Sequence, residues 1–266
     1  DGRLRVIRSE NGEEWTSVAL MEWDGGDMRD PKLSISADGH LMLSGAVRFL
    51  RPMDGNNRQS VTWLSPDGKH WNGPFSCPTG LGTWRWSVTW HKGIAYSFGY
   101  SGKDKQGCLY RSKDGKTWDV VKDDVYPDVN TRGNETSLVF LNNDTAYCLL
   151  RRDKGSKSGM LGVSQPPYTE WKWRDLGTRI GGPKMIPFGE DRLLAAVRLH
   201  DGGQRSTSLC WIDPQAGKLT EALKLPSGGD TSYAGLVPYD GMVWVSYHSS
   251  HDGKTAIYLA RVKIGD

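Results

Sequence analysis

Apolar residues recur along this chain in short runs, and each run is followed by a polar turn and then by a second apolar run. Turn-forming residues separate the two runs of a pair, as at Asp38-Gly39 and Asp240-Gly241, and such dipeptides are typical of hairpins. No stretch has a convincing helical periodicity. The pattern therefore predicts an all-β chain of antiparallel hairpins. The predicted strand pairs are Pro31–Ile35 with Leu41–Val47, Ser87–Trp90 with Ile94–Phe98, Thr136–Leu141 with Ala146–Leu150, Met185–Pro187 with Leu193–Val197, and Ala234–Pro238 with Met242–Tyr247.

A polar motif that ends in tryptophan recurs between these pairs. It reads Ser-Lys-Asp-Gly-Lys-Thr-Trp at 112–118, and the same spacing occurs at 65–71 and, with asparagine for aspartate, at 9–15. A decayed copy at 164–171 and a further hairpin at 211–217 follow. The aspartate can accept backbone N–H bonds and the glycine supplies a positive φ. We therefore expect a tight turn that joins the third and fourth strands of each repeat.

Repeats of ~40–50 residues built only from short strands are typical of β-propellers. We predict a six-bladed β-propeller with four-stranded antiparallel blades. Strand Leu4–Arg8 and the strand after Trp15 form an outer pair whose inner pair would precede Asp1, and Ala256–Ile264 makes only the third strand of the last blade. We therefore expect residues 1–266 to be a single domain that lacks an N-terminal segment of its first and last blades. Five blades closed by the two termini are the alternative.

The composition of the chain excludes several classes of function. The formal net charge is +3 and the basic residues are scattered, whereas nucleic-acid binding usually requires a concentrated basic face. No apolar run is long enough to span a bilayer. The four cysteines are far apart and lack metal-ligand spacing, so they are expected to be free buried thiols, and we expect no metal or cofactor. A processing signal before Asp1 would favour a secreted or periplasmic location; the oligomeric state is left open.

Polar residues concentrate at one end of the predicted blades. In a four-stranded meander, the start of the first strand and the end of the second lie opposite the repeated turns, and the loops after the second strands adjoin them. This end is rich in arginine, which is suited to bidentate recognition of carboxylates. The candidate residues there are Arg29, Asp30, Arg48, Asp54, Arg85, Glu135, Arg151, Arg152, Arg198, Tyr233 and His248.

These features resemble the sialidase (neuraminidase) superfamily, in which the repeated turn is called the Asp box or BNR repeat. The segment Ser232-Tyr233-Ala234-Gly235-Leu236 is similar to the one that carries the family's nucleophilic tyrosine. Glu135 lies where the family keeps the glutamate that activates this tyrosine. Arg151 or Arg152 would be one arginine of the substrate clamp. Arg198, with Arg205 as its alternative, would be the next.

Two departures from the family pattern concern the first repeat. Arg29-Asp30-Pro31 is the nearest match to the family's Arg-Ile-Pro segment, and it has aspartate where isoleucine is expected. Asp54 is the best match to the family's acid/base aspartate, and Asp30 is the next.

The resemblance implies retaining, exo-acting hydrolysis of a terminal sialic acid or a related acidic sugar. A tyrosine nucleophile avoids the repulsion that a carboxylate would meet at a sugar bearing its own carboxylate, and the phenol needs an adjacent base. Three alternatives stay open: a hydrolase for another acidic glycan, a lyase for such a glycan, or a carbohydrate-binding propeller without catalysis. The expected partner in each case is a glycan with a carboxylate.

Overall fold

The computed structural model describes residues 2–101, 106–127, 131–189 and 192–265. All regular secondary structure in these residues is β-strand, and they include no helix with the length and apolar character needed to cross a bilayer. The strands are β1 Leu4–Arg8, β2 Thr16–Met21, β3 Gly26–Ile35, β4 Leu41–Met53, β5 Asn56–Ser65, β6 Asn72–Leu81, β7 Thr83–Arg85, β8 Thr89–His91, β9 Ile94–Ser101, β10 Cys108–Ser112, β11 Asp119–Asp123, β12 Gly133–Phe140, β13 Ala146–Arg152, β14 Ser158–Ser164, β15 Lys172–Phe188, β16 Arg192–Asp201, β17 Gln204–Asp213, β18 Lys218–Lys224, β19 Ser232–Tyr239, β20 Met242–Ser249 and β21 Ala256–Val262.

The chain divides into two compact units, Asp1–Val125 and Tyr126–Asp266. The first unit contains the hairpin β1-β2, the four-stranded sheet β3-β4-β5-β6, and a sheet in which β7 and β8 both pair with β9, followed by β10 and β11. The second unit contains the continuous order β12 to β18 and the three-stranded sheet β19-β20-β21. Neighbouring strands pair antiparallel in both units, for example β3 with β4 in the first and β12 with β13 in the second.

Four of the five predicted strand pairs are confirmed. In the fifth, only Thr89 and Trp90 of the predicted strand Ser87–Trp90 pair with β9, and Ser87 and Val88 lie outside the strand. Leu33 lies opposite Leu43 in the first unit, and in the second unit Leu138 lies opposite Cys148 and Met185 opposite Ala195. The prediction of an all-β chain with four-stranded antiparallel sheets therefore holds. The number of blades and the single-domain organisation stay predictions.

Strand β15 is shared between two sheets of the second unit. Its first part, Lys172 to Arg179, pairs with β14, and its second part, Ile180 to Phe188, pairs with β16. It is thus the fourth strand of one sheet and the first strand of the next.

The core of the second unit is built on both faces of β16. Leu193, Ala195 and Val197 are buried in one apolar cluster, while Leu194 and Ala196 are buried in another. Because side chains alternate across a strand, the two sets point to opposite faces. Burial of one leucine contributes roughly 1.5–3 kcal/mol, so this strand joins two cores.

The repeated turn has the predicted chemistry. The Ser65 Oγ accepts the N–H of Gly68 at 2.8 Å, and the Asp67 carboxylate accepts the N–H groups of Lys69 and His70, each at 2.8 Å. The copy at Asp114 repeats these bonds. These turns join β5 to β6 and β10 to β11, which are the third and fourth strands of their sheets.

The decayed copy keeps the geometry with a different residue. Tyr168 has a φ of 66° and takes the place of the glycine. The indole N–H of Trp171 donates to the Tyr168 carbonyl at 3.0 Å, as that of Trp71 donates to the Gly68 carbonyl at 3.1 Å. The tryptophan therefore closes the turn whether or not a glycine is present.

We predict that Asp114→Ala lowers the free energy of unfolding by about 1–2 kcal/mol, because two backbone N–H groups lose their acceptor. Burial alone would raise the pKa of Asp114, but the N–H groups of Thr117 and Lys116 and the Ser112 hydroxyl lower it below its ordinary value. Its contribution is therefore present above pH ~4 and is lost as the pH falls through the lowered pKa.

Urea unfolding at pH 7 and at acid pH measures both effects. Lys113→Ala changes an exposed residue of the same turn and is the control. Equal stability of the two variants at pH 7 would contradict the assigned role of Asp114.

Candidate active site

Three β-bulges shape the polar end of the second unit. The pairing register shifts between Gly133 and Thr136 in β12, between Gly181 and Lys184 in β15, and between Ser232 and Gly235 in β19. A bulge inserts an extra residue and re-aims the side chains beside it. The shifted segments contain Glu135, Gly182 and Tyr233, and these three residues contact one another.

The Glu135 carboxylate is the centre of this contact and is 3% exposed. The Tyr233 hydroxyl donates to Glu135 Oε1 at 2.6 Å, and Arg151 Nη1 donates to the same oxygen at 2.6 Å. The backbone N–H of Gly182 donates to Glu135 Oε2 at 2.6 Å. Both carboxylate oxygens therefore have partners, as a buried acidic group requires.

Arg151 is fixed by a second carboxylate. Its Nε and Nη2 both lie 3.0 Å from Asp153 Oδ1, and the Asn134 amide donates to Asp153 Oδ2 at 2.7 Å. Burial would lower the pKa of Arg151, but the carboxylates of Glu135 and Asp153 raise it above its ordinary value. This guanidinium is therefore a permanent cation beside the Tyr233–Glu135 pair.

Tyr233 is held in a strained backbone conformation. Its φ is 55° and that of Ser232 is 138°, and non-glycine residues rarely adopt such values. The Ser232 hydroxyl donates to the carbonyls of Gly181 and Gly182, at 3.2 and 3.3 Å, and so anchors the segment. Burial, followed by the charge and the hydrogen bond of Glu135, raises the pKa of Tyr233 well above its ordinary value. The phenol is thus a neutral donor to a carboxylate, an arrangement in which Glu135 can remove its proton.

The Tyr233 ring also contacts a charged group and a second ring. The Arg198 guanidinium lies 5.5 Å from the ring centroid, and the His248 ring stacks on Tyr233 at 5.5 Å with an interplanar angle of 17°. Asp230 lies 3.3 Å from Arg198 Nη1 and 3.6 Å from His248 Nε2. Arg198 is 8% exposed, and its Nε has no hydrogen-bond partner among the described residues.

His200 lies two residues beyond Arg198 on β16. Burial and then the positive charges of Arg179, Arg198, Arg205 and Arg151 lower the pKa of His200 to about 4. The imidazole is accordingly neutral at pH 7, and its surroundings are strongly cationic.

The structure brings together five of the sequence-predicted residues: Glu135, Tyr233, Arg151, Arg198 and His248. Arg152, next to Arg151, has its own partners instead, since it donates to the Ser158 carbonyl at 2.7 Å and contacts the Asp175 carboxylate. One arginine of the adjacent pair is thus engaged in the site and the other within the sheet, as alternation along a strand requires.

The other candidates belong to the first unit. Arg29 Nε donates to Asp27 at 2.6 Å. Arg48 is exposed, and Asp54 is exposed in the turn between β4 and β5 with a φ of 48°. Asp30 has a φ of 53° within the bulge of β3. Their assigned roles stay predictions.

Arg85 is the buried arginine of the first unit, 4% exposed. Its guanidinium lies 4.9 Å from the Trp118 ring centroid and 5.6 Å from that of Tyr110, and Nη1 lies 3.7 Å from the Cys77 sulfur. Burial lowers its pKa. These contacts are those of a packed interior cation. All four cysteines are free, and Cys77 is the one that is only partly buried.

Sequence reasoning gave no role to Gly182, Asp153 or Asp230. The Gly181-Gly182-Pro183 segment interrupts an apolar strand, which was the available signal of a bulge. Asp230 lies three residues before Tyr233, but nothing in its local sequence indicates a contact with Arg198. In the described part of the chain, no three His, Cys, Asp or Glu side chains are grouped so that they could hold a metal ion.

Comparison with solved structures identifies the fold. A protein of unknown function from Dyadobacter fermentans superimposes with a TM-score of 0.85 at 19% identity, over 98% of this chain and 84% of that one. The GH93 α-L-arabinofuranosidase of Fusarium graminearum, in complex with arabinobiose, gives a TM-score of 0.69 at 15% identity, over 97% and 84%. The α-L-arabinanase of Penicillium chrysogenum, also with arabinobiose, gives 0.68 at 16%, over 98% and 85%.

These matches show that the chain shares the propeller-type fold of glycoside hydrolases, and the named enzymes are not sialidases. No protein-family model matches the sequence. A search of curated proteins finds no match either. At such identities the comparison establishes the fold alone.

We predict that Gly182→Ala disrupts the site. A Cβ at this position would lie 2.3 Å from the Ser232 Oγ and 2.8 Å from the Tyr233 nitrogen, and the φ is +53°. The expected loss in free energy of unfolding is about 2–4 kcal/mol, from backbone strain and steric overlap. Gly202→Ala is the matched control, because its φ is +52° and nothing lies within 4 Å of the added atom.

Urea unfolding of both variants measures the difference. The free energy of unfolding of the control variant should fall only by the contribution of backbone strain, about 1–2 kcal/mol. Equal losses would contradict the close approach of Gly182 to the Ser232–Tyr233 segment.

Proposed function

We propose that this protein is a retaining, exo-acting glycoside hydrolase for a terminal acidic sugar, sialic acid or a relative of it. The observation that carries this proposal is the 2.6 Å hydrogen bond from the Tyr233 hydroxyl to Glu135 Oε1. A phenol is a weak nucleophile at neutral pH, and an adjacent carboxylate base is the standard way to activate a weak nucleophile. A lectin would need no such pair at its binding site.

In the first step, Tyr233 Oη attacks the anomeric carbon while its proton passes to Glu135 Oε1. The bond to the leaving oxygen breaks, and that oxygen takes a proton from an acid. In the second step, the deprotonated acid takes a proton from water as that water attacks the anomeric carbon, the bond to Tyr233 Oη breaks, and Glu135 returns its proton to the phenol oxygen. The configuration is retained because the substitution occurs twice.

A neutral nucleophile suits a substrate that carries its own carboxylate beside the anomeric carbon, because a carboxylate nucleophile would repel it. In this proposal Arg198 and Arg151 bind the substrate carboxylate. Arg198 supports this role through its position against the Tyr233 ring. Arg151 is already bonded to Glu135 and Asp153, so its contribution is mainly electrostatic. His248, stacked on Tyr233, would contact the sugar ring.

Asp54, with Asp30 as its alternative, stays the sequence-based candidate for the proton donor to the leaving oxygen. Asp230 is a third candidate, since it lies beside Arg198 and His248 and its side chain is 63% exposed. A general acid of this kind must reach the leaving oxygen, which lies on the sugar face opposite the nucleophile.

A second candidate function comes from the fold. Enzymes named for arabinan and arabinofuranoside hydrolysis share it, two of them bound to arabinobiose. For a neutral pentose, carboxylate repulsion is absent, so Glu135 could attack the anomeric carbon directly while Tyr233 and Arg151 orient it. The cationic surroundings of the pair, with Arg151 and Arg198 both close to Tyr233, favour the acidic sugar.

We predict that Tyr233→Phe reduces kcat on a chromogenic sialoside by about 10³-fold or more, because the nucleophile is removed. Tyr239→Phe is the matched control, since Tyr239 lies at the other end of the same strand and is 67% exposed. It should retain full activity. An equal rate for Tyr233→Phe and the wild type would remove Tyr233 from the mechanism.

The same assay on a 4-nitrophenyl uronide and a 4-nitrophenyl arabinofuranoside separates the candidates. A substrate fluorinated beside the anomeric carbon should trap the covalent intermediate, and mass spectrometry should locate it on Tyr233. An adduct on Glu135 with turnover of the arabinofuranoside would establish the second candidate. Binding of an acidic sugar without turnover of any substrate would establish a carbohydrate-binding protein instead.

We predict that Asp54→Asn loses activity mainly on substrates with poor leaving groups. Loss of the acid should reduce hydrolysis of an alkyl glycoside about 10²-fold or more and that of a 4-nitrophenyl glycoside much less, because a phenolate of low pKa leaves without protonation. Parallel kinetics for Asp30→Asn and Asp230→Asn test the alternatives. If only Asp230→Asn shows this dependence, Asp230 is the acid and Asp54 is not.

A further inference from the structure

A cationic face extends away from Arg198 along β16. His200 is on the same side of the strand as Arg198, because residues two apart share a face, and lies about 7 Å further along it. Arg205 lies directly opposite His200 on β17, so its side chain is on this face too. Arg179 precedes Ile180, which lies opposite Leu199, and its charge is the strongest of those acting on His200.

A cavity of about 460 Å³ adjoins this face. Two of its lining residues are cationic, Arg205 and Lys224, and none is acidic. The rest of the lining is polar or glycine: Gly203, Gln204, Ser227, Gly228 and Gly229. The volume falls in the range of ligand-binding cavities.

These cations are not neutralised by the protein. Within residues 131–189 and 192–265, the ion pairs of this region are those of Arg151, Arg152, Arg198 and two histidines. Arg179, Arg205 and Lys224 have no ion pair or side-chain hydrogen bond there. Most surface arginines are free to move in solvent and contribute little. Here Arg179 and Arg205 act on the neutral imidazole of His200, and Arg205 also lines the cavity together with Lys224.

We propose that the cavity of Arg205 and Lys224, continued by Arg179 and His200 toward Arg198, is a second anion-binding subsite. It takes the carboxylate or sulfate group of a sugar unit that adjoins the terminal one. The identification of the ligand as a glycan rests on the proposed function. The subsite narrows the substrate class to glycans with more than one anionic group.

Arginine is suited to this task because its planar guanidinium binds carboxylate and sulfate oxygens with two parallel hydrogen bonds. The neutral His200 can donate one further hydrogen bond through a ring nitrogen. An anion bound there would offset the repulsion among the cations. The pKa of His200, about 4 in the free protein, should therefore rise toward its ordinary value when the ligand binds.

The test is binding of tetragalacturonate, measured by calorimetry on the wild-type protein. Its methyl ester, which has the same sugars without charge, is the reference ligand, and a sulfated tetrasaccharide distinguishes sulfate from carboxylate. We expect the double variant Arg205→Ala/Lys224→Ala to bind the preferred anionic ligand about tenfold more weakly or worse. The control Lys172→Ala/Lys218→Ala removes the same charge from exposed positions near the turns of β14-β15 and β17-β18 and should bind as the wild type does.

Proton NMR of His200 supplies the second readout. The pKa of its ring should rise on addition of the anionic ligand to the wild type and to the control, and should not rise in the Arg205/Lys224 variant. Equal weakening in both double variants would overturn the proposal, because it would show general charge attraction. Failure of both anionic ligands to bind more tightly than the methyl ester would overturn it as well. Absence of hydrolysis, in contrast, contradicts only the proposed function, since neither measurement requires turnover.

Discussion

The buried carboxylate of Glu135 is the constraint on which the second unit's polar end depends. Three donors from three other strands converge on it: the Arg151 guanidinium, the Gly182 N–H and the Tyr233 hydroxyl. A buried acidic group without partners would cost several kcal/mol. The need to satisfy it therefore ties β12, β13, β15 and β19 to one another, and the tie holds the reactive groups at hydrogen-bond distance.

Backbone strain accompanies this convergence. Ser232 and Tyr233 both have positive φ values, and the Ser232 hydroxyl binds two carbonyls of β15 to hold them there. Residues in such conformations persist only where the surroundings fix them. The bulges that produce the strain also turn Glu135 and Tyr233 toward each other, so the strained segment and the hydrogen-bonded pair are two results of the same backbone geometry.

Local chemistry made much of the fold predictable from sequence. Alternating apolar runs and Asp-Gly turns predict the strand pairs, and the turn motif predicts the hydrogen bonds of Asp67. Strand pairs and turn bonds alike depend on residues that are close in sequence. The pairing of Tyr233 with Glu135 followed from a family resemblance. The sequence did not predict which of the two adjacent arginines would enter the site. Arg151 does so and Arg152 contacts Asp175, and the position of a bulge decides between them. The role of Asp230 comes from its tertiary contact with Arg198, which the local sequence does not indicate.

Strand β15 has a consequence beyond the site. Because its two halves pair with different neighbours and no loop separates them, backbone hydrogen bonds run without interruption from β12 to β18. The last strand of one sheet is therefore also the first strand of the next. A displacement of either half of β15 is carried along its backbone and moves the strand pairing of both sheets.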